Sequence, residues 1–300
     1  MPRDDRKKSR QDPLVRAWAP QWNALSGVAA LVELALAEDV GTGDMTTDAL
    51  VDDDAMGRAV ILAKETLVVA GLEVAETVFS LLDMEVEFLP ACEDGDSLAP
   101  GAVLAEVEGR MRALLTGERT ALNFLQRLSG VATQTRRFAS QAGNLGVRVT
   151  DTRKTTPGWR VLEKYAVRVG GASNHRMGLF DGVLIKDNHI AACGGIAQAV
   201  EKARQNLHHL TRVEVETGTL DQVAEALDAG VDVIMLDNMD DETIAEAVQV
   251  ISGRALVEVS GNVTGERLPT LALLGVDIVS AGALTHSARA MDISMRIRAI

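Results

Sequence analysis

The sequence predicts an α/β protein whose second part is a parallel sheet of repeated βα units, closing as a barrel, and whose first part is a separate α+β module. Two observations carry this. From about Val147 onward, short runs rich in Val and Ile alternate with amphipathic stretches of helical period, the pattern of strands joined by crossover helices. Before that point strand-like runs surround a single helical stretch, without the regular alternation.

In the first part, Gly57 to Lys64 and Leu67 to Val69 read as strands, Leu72 to Leu82 as a helix, and Glu85 to Leu89 and Val103 to Glu108 as further strands. The stretch Gly95 to Val107 resembles the turn of lipoyl and biotinyl carrier domains. It lacks a lysine at a matching hairpin tip, so it reads as a turn of the sandwich. Glu118 to Ala142 predicts a long helix leading to the barrel, interrupted near Ser129-Gly130.

In the second part the strands are Val147 to Thr150, Gly182 to Ile185, Arg212 to Val215, Val231 to Leu236, Ala255 to Val259 and Val276 to Ser280. Ile196 to Asn206, Leu220 to Ala229 and Thr243 to Ile251 have helical spacing, and Gly230 supplies a C-terminal cap for the second of them. Each strand leads into polar or small residues. In order these are Arg153 and Lys154, Lys186, Glu216, Asp237 and Asn238, Ser260-Gly261-Asn262, and Ala281-Gly282-Ala283. Parallel strands in a barrel bring their C-terminal ends to one rim, so these scattered residues are expected at a single mouth.

Composition narrows the partners. At 300 residues and 47% apolar the chain can bury a full core. A net charge of −13 leaves no basic surplus for nucleic acid. The two cysteines, Cys92 and Cys193, lie far apart without metal-ligand spacing, which argues against a disulfide framework or a cysteine zinc site and suits a reducing cytoplasm. No apolar run is long enough for a membrane span. Residues 1–24 are expected to be a flexible, solvated tail; Met1 to Arg16 holds six basic and three acidic residues and has no apolar core, so a secretory signal is not expected.

Against this acidic background, the stretch from Asp151 to His189 holds seven Lys/Arg and four acids. A positive island on an anionic chain points to a small, highly anionic ligand. Arg153 offers a planar fork for carboxylate or phosphate and Lys154 a point charge, ahead of a Pro157-Gly158 turn. His175, Arg176 and Lys186 are expected near the same rim. Glu216 and Asp237 could accept sugar hydroxyls, ligate Mg2+, stabilise positive charge on a ring carbon, or simply pair with Lys154 or Lys186. Ser260-Gly261-Asn262 and Ala281-Gly282-Ala283 let backbone N–H groups approach a phosphate, with Thr285 and His286 in support. Arg119, in Thr116 to Thr120, lies outside the barrel and reads as an ordinary solvated or capping residue.

Together, Glu118-Arg119-Thr120-Ala121-Leu122-Asn123, Asp151-Thr152-Arg153-Lys154-Thr155-Thr156-Pro157-Gly158, Asn174-His175-Arg176, Leu184-Ile185-Lys186-Asp187-Asn188-His189, Met235-Leu236-Asp237-Asn238, Val259-Ser260-Gly261-Asn262 and Gly282-Ala283-Leu284-Thr285-His286 closely resemble the quinolinate phosphoribosyltransferase family. The resemblance runs from about Leu31 to Met295. It implies an α/β sandwich over residues 25–128, rejoined by the C-terminal segment 289–300, and an incomplete parallel α/β barrel over 129–288. It implies transfer of phosphoribosyl from phosphoribosyl pyrophosphate to quinolinate with decarboxylation, giving nicotinate mononucleotide, pyrophosphate and CO2 in NAD biosynthesis, with Mg2+ as cofactor.

The same resemblance places Arg119, Arg153, His175, Arg176 and Lys186 around quinolinate, and Lys154 between quinolinate and pyrophosphate, with Thr152 also expected to bind substrate. Glu216 and Asp237 would hold ribose hydroxyls and Mg2+; Lys154, Lys186, Glu216 and Asp237 would be catalytic. Ser260, Gly261, Asn262 and Gly282 would cradle the 5′-phosphate, and Ala281, Ala283 and His286 are expected to bind substrate beside them. A homodimer is implied, each site borrowing Arg119 from its neighbour, with assembly to a hexamer open. Thr217-Gly218-Thr219 departs from the family's usual Val-Glu-Asn, so altered loop detail is expected there with Glu216 retained. Two rivals are a same-fold relative associated with molybdenum transport operons and a non-catalytic binder of phosphorylated anions.

Overall fold

Strand β1 (Met56–Ala63) alternates buried and more exposed side chains along its length, the signature of a sheet with one face in a core. In the computed structural model, which describes residues 27–143 and 145–300, β1 is central to a four-stranded antiparallel sheet. Its order is β12 (Ile293–Ala299), β1, β5 (Val103–Arg110), β3 (Glu87–Pro90). The C-terminal strand thus pairs with the first one, Gly57 opposite Ala299 through Ala63 opposite Ile293. β2 (Leu67–Val68) and β4 (Ser97–Leu98) form a small separate pair. Helices α1 (Val28–Val40) and α3 (Leu72–Leu82) pack on this half, and α2 (Met45–Leu50) precedes β1. The tail expected over 1–24 lies outside the described residues.

Helix α4 (Met111–Ala142) joins the halves and corrects the sequence reading twice. It begins before Glu118, and it is continuous through Ser129-Gly130. The small residues there admit neighbours. A Cβ on Gly130 would stand 1.9 Å from the Arg289 carbonyl oxygen, and Ser129 Oγ accepts the Ala70 N–H at 3.1 Å. A helical glycine costs about 1 kcal/mol relative to alanine, which this close crossing requires.

The second half is a six-stranded parallel sheet in the order β6 (Arg148–Thr150), β11 (Ile278–Ser280), β10 (Leu256–Ser260), β9 (Val233–Asp237), β8 (Val213–Thr217), β7 (Val183–Ile185). Its edges, β6 and β7, are consecutive in sequence, so the barrel is incomplete between them. The chain from Ser173, which bridges Thr150, runs through this gap to β7. Around the sheet lie α5 (Arg160–Val169), α6 (Asp187–Cys193), α7 (Ile196–Asn206), α8 (Leu220–Asp228), α9 (Asp241–Ile251), α10 (Leu268–Leu273) and α11 (Ala283–His286). Gly230, at φ 70°, follows α8 and donates to the Leu227 carbonyl, as its capping role requires.

Three strands run further than the sequence suggests. Glu216, Asp237 and Ser260 are paired ladder residues: Glu216 opposes Met235, and Ser260 opposes Asp237. Their side chains are therefore aimed by the sheet rather than by loops. Among the described residues no helix is long and apolar enough to cross a membrane.

Candidate functional site

The C-terminal strand ends surround a cavity of about 730 Å³. It is lined by Thr152, Arg153, Lys154, His175, Arg176, Lys186, Glu216, Asp237, Ser260, Gly261, Asn262, Ala281, Gly282, Ala283 and His286. Asn238, also expected at the mouth, lines it too, and Leu184, Met235, Val263 and Ser280, which were not anticipated as lining residues, complete the wall. Two expected residues lie elsewhere. Arg119 is exposed on α4 and does not line the cavity. Thr285 is fully buried behind the wall, so it cannot support a phosphate directly.

The cationic side rests on a buried framework. Asp151 and Lys164, both without solvent exposure, are ion-paired beneath the rim. Burial works to push Asp151 up and Lys164 down toward neutrality. The bonds they make oppose that shift: Asp151 also accepts from Asn174 Nδ2 at 2.6 Å and His175 N at 2.9 Å, and Lys164 donates to the His175 carbonyl at 3.0 Å. This fixes the backbone carrying His175 and Arg176 next to the Thr152-Arg153-Lys154 turn. The Arg176 guanidinium donates to the Gly182 carbonyl at 2.9 Å. Burial, and then the charge of Arg153, hold its proton affinity below the usual arginine value. Two arginines destabilising each other form a site that an anion would relieve.

His175 looks the other way. Its Nδ1 accepts the Arg176 N–H at 2.8 Å, while Nε2 lies 3.3 Å from Glu214 and 3.5 Å from Glu258. Burial opposes a charged ring, yet the two carboxylates push its pKa up to about 9. A second proton could go only on Nδ1, at the expense of the Arg176 bond. Nε2 is therefore the nitrogen whose proton faces the two carboxylates, and Nδ1 the one that faces the Arg176 N–H. Glu214 and Glu258 were not anticipated. Each stands two residues before an expected rim residue, Glu216 or Ser260, so strand alternation places it on the same inward face, one layer deeper.

The acidic side is preorganised by partners. Lys186 is ion-paired with Glu216, and Asp237 accepts from Asn238 Nδ2 at 2.7 Å. Asn238 and Asn262 adopt left-handed φ values of 55° and 49°, and a Cβ on Gly261 would meet Asn238 Oδ1 at 2.2 Å, so glycine is required there. The divergent loop is locally satisfied. Thr217 Oγ1 donates to the Met235 carbonyl at 3.0 Å, and Thr219 caps α8 by accepting from Gln222 N at 3.3 Å.

A cavity with clustered cations on one wall, paired carboxylates on another and backbone-rich turns on the third suits a dianion beside a phosphorylated sugar. Comparison with known proteins agrees. The family profile for the quinolinate phosphoribosyl transferase C-terminal domain matches residues 131–296, and that for its N-terminal domain matches residues 44–129. The chain belongs to the quinolinate phosphoribosyltransferase family.

Within this family, the chain is 47% identical over 260 residues to a probable nicotinate-nucleotide pyrophosphorylase (carboxylating) of Bacillus subtilis, covering 87% of this chain and 90% of the relative. It is 41% identical to a quinolinate phosphoribosyltransferase (decarboxylating) of Nicotiana tabacum, over 89% of this chain and 81% of that one. Among solved structures, NadC from Streptococcus pyogenes superposes with a TM-score of 0.87 at 44% identity, covering 91% of this chain and 97% of the other. The nicotinate-nucleotide pyrophosphorylase from Francisella tularensis gives 0.86 at 40%, covering 90% and 96%. The two-part α/β architecture and the enzymatic activity, a decarboxylating quinolinate phosphoribosyltransferase, are those of this family.

Proposed function

We propose that phosphoribosyl transfer to quinolinate takes place in the cavity at the C-terminal rim of the barrel, with each lining group in a defined role. The observation that carries this reading is convergence: every site residue expected from sequence except Arg119 and Thr285 lines that one cavity. Arg153, Arg176 and Lys186 grip the quinolinate carboxylates, with Thr152 and His175 shaping the wall. Lys154 reaches between acceptor and pyrophosphate. Ser260, Gly261, Asn262, Ala281, Gly282, Ala283 and His286 surround the 5′-phosphate. Glu216 and Asp237 face the ribose.

The chemistry follows from the charges. Quinolinate and phosphoribosyl pyrophosphate repel each other, and the cationic wall brings them together. The ring nitrogen attacks the anomeric carbon as its bond to the pyrophosphate oxygen breaks, and the carboxylates stabilise the positive charge that develops. The positive charge on the ribosylated nitrogen then stabilises the electron pair left on C2 as the bond to CO2 breaks, and a proton is taken up at C2 where CO2 was lost. Transfer therefore precedes decarboxylation; release of free nicotinate as an intermediate would overturn that order.

Glu216 and Asp237 also suit Mg2+. They are hard oxygen donors, two in number, and Mg2+ is commonly bound by one or two carboxylates with substrate phosphates and water completing its shell. When bound, the ion would neutralise charge on the departing pyrophosphate. The functional unit is a homodimer in which Arg119, exposed on α4, enters the partner's site, and the enzyme works in the cytoplasm, where the free thiols of Cys92 and Cys193 stay reduced.

The test is to incubate the protein with quinolinate, phosphoribosyl pyrophosphate and Mg2+ and to follow CO2 and nicotinate mononucleotide. The two should appear in equal amounts with pyrophosphate. Nicotinate as sole acceptor should not react, because cations arranged for two carboxylates are left unpaired by one. Wild-type rates after replacing Arg153 or Lys186 would move the chemistry away from this cavity.

A further inference from the structure

Thr285 has no surface in the cavity, yet it touches the segment that carries Lys154. Its hydroxyl donates to the Lys154 carbonyl at 2.8 Å, with the Gly282 carbonyl 3.1 Å away. Its own carbonyl accepts from Arg127 Nη2 at 2.8 Å. Arg127 also donates to the Ala288 carbonyl at 2.6 Å and reaches Glu163 Oε1 through Nε and Nη2 at 3.1 and 2.6 Å. Glu163, fully buried, accepts in addition from Thr156 N at 3.0 Å and Thr156 Oγ1 at 2.9 Å. The ion pair between half-buried Arg127 and buried Glu163 therefore ties together helix α4, the turn that follows Lys154, and the turn around α11. The Lys154 alkyl chain passes over that last turn, since a Cβ on Gly282 would stand 2.9 Å from Lys154 Cδ.

We infer that Thr285 is a positioning residue for phosphoribosyl transfer, anchoring Lys154 to the phosphate-side turn through the hydrogen bond from its hydroxyl to the Lys154 carbonyl. A lysine ammonium sits on a flexible four-carbon stem, so its location depends on where the backbone starts that stem. Arg127 and Glu163 fix the outer ends of both turns. Thr285 makes the direct link between them, and it leaves Arg153, Arg176 and Lys186 untouched. Loss of the hydroxyl should therefore disturb the transfer step and spare the grip on quinolinate. The inference rests on the reading of Lys154 as a transfer residue, which Lys154→Ala tests separately: if that variant turns over normally, the reading of Lys154 has failed, whatever Thr285 does.

The experiment compares Thr285→Val, Thr285→Ala and Thr285→Ser with wild type, recording kcat, KM for each substrate, and melting temperature. Misplacement of a catalytic group by an ångström can cost up to about a hundredfold in rate, and a partial slip of Lys154 is expected to lower kcat about tenfold in the Val and Ala variants. KM for quinolinate should stay within about twofold, and Ser, which keeps the donor, should recover most of kcat. If the Val protein does not fold, Ala against Ser carries the same comparison. The inference is overturned if the variants lacking the hydroxyl keep wild-type kcat, if Ser is as slow as Ala, or if kcat and quinolinate KM worsen together in step with melting temperature.

Discussion

Lys186 and Glu216 are ion-paired across the ends of neighbouring strands β7 and β8, on the wall of the cavity. Each is held in place by the other before any ligand arrives. Lys186→Met removes a cation from the acceptor site and frees Glu216. It should lower kcat/KM for quinolinate by roughly two to three decades, as expected for one charge-assisted contact in a transition state. The pair is partly solvated, with Lys186 41% and Glu216 19% exposed, so the stability change should stay below about 1 kcal/mol. Steady-state kinetics and urea unfolding of the same variant check both halves.

Arg119 is exposed on α4 and absent from its own chain's cavity, which gives the proposed dimer a direct test. Arg119→Ala and Lys154→Ala should each be nearly inactive, losing on the order of 2 to 4 kcal/mol of transition-state stabilisation. Mixed and reassembled, they should form heterodimers with one intact site and regain part of the activity. Heterodimers that form and stay inactive would refute the borrowed arginine.

Gly130 makes a prediction about folding. The atom in its way is a backbone oxygen, 1.9 Å from where an alanine methyl would sit, and it cannot rotate aside as a side chain could. Gly130→Ala gains helix propensity but forces α4 and the Arg289 segment apart, so a net loss of about 1 to 3 kcal/mol is expected. The midpoint of chemical denaturation measures it.

Glu65 links the end of the first sheet to the same segment. It accepts from Arg289 Nη1 at 2.7 Å and from Asp292 N at 2.8 Å. The Arg289 bond, followed by that of Asp292, holds its pKa at about 2, below the ordinary 4.5. A depressed carboxylate stabilises the fold above its unfolded pKa, and that contribution disappears as pH falls from about 4.5 through about 2. Glu65→Gln should reduce stability slightly at pH 7, by less than about 1 kcal/mol for so exposed a pair, and should flatten the acid limb of the stability profile. Equal acid sensitivity in both proteins would count against the pair.

Much of this architecture was legible in the sequence because it depends on local periodicity. The barrel strands are visible as Val- and Ile-rich runs, and Ile196–Asn206 is a helix with the bounds its spacing predicts. Glu216 and Asp237 were found because strand ends in a barrel must meet. What was missed depends on distant partners. Helix α5 carries Glu163 and Lys164, which count in the sequence among the charges of the Asp151–His189 island; both are fully buried, and their partners Arg127 and Asp151 come from other segments. Glu214 and Glu258 were hidden for a similar reason, since acids inside a barrel make sense only once His175 is placed between them. Ser129-Gly130 suggested a break, whereas it is a crossing point with a chain far downstream.

The return of β12 to the edge of β1 has a practical consequence for dissecting the molecule. Cutting the gene between the two family-profile matches would strip the antiparallel sheet of its outer partner and expose β1's unpaired amides and carbonyls, a template for aggregation. Pairing across such a separation also carries a large loop-closure cost. A soluble minimal fragment of the first half would have to carry the β12 peptide on a linker, as a circular permutant does.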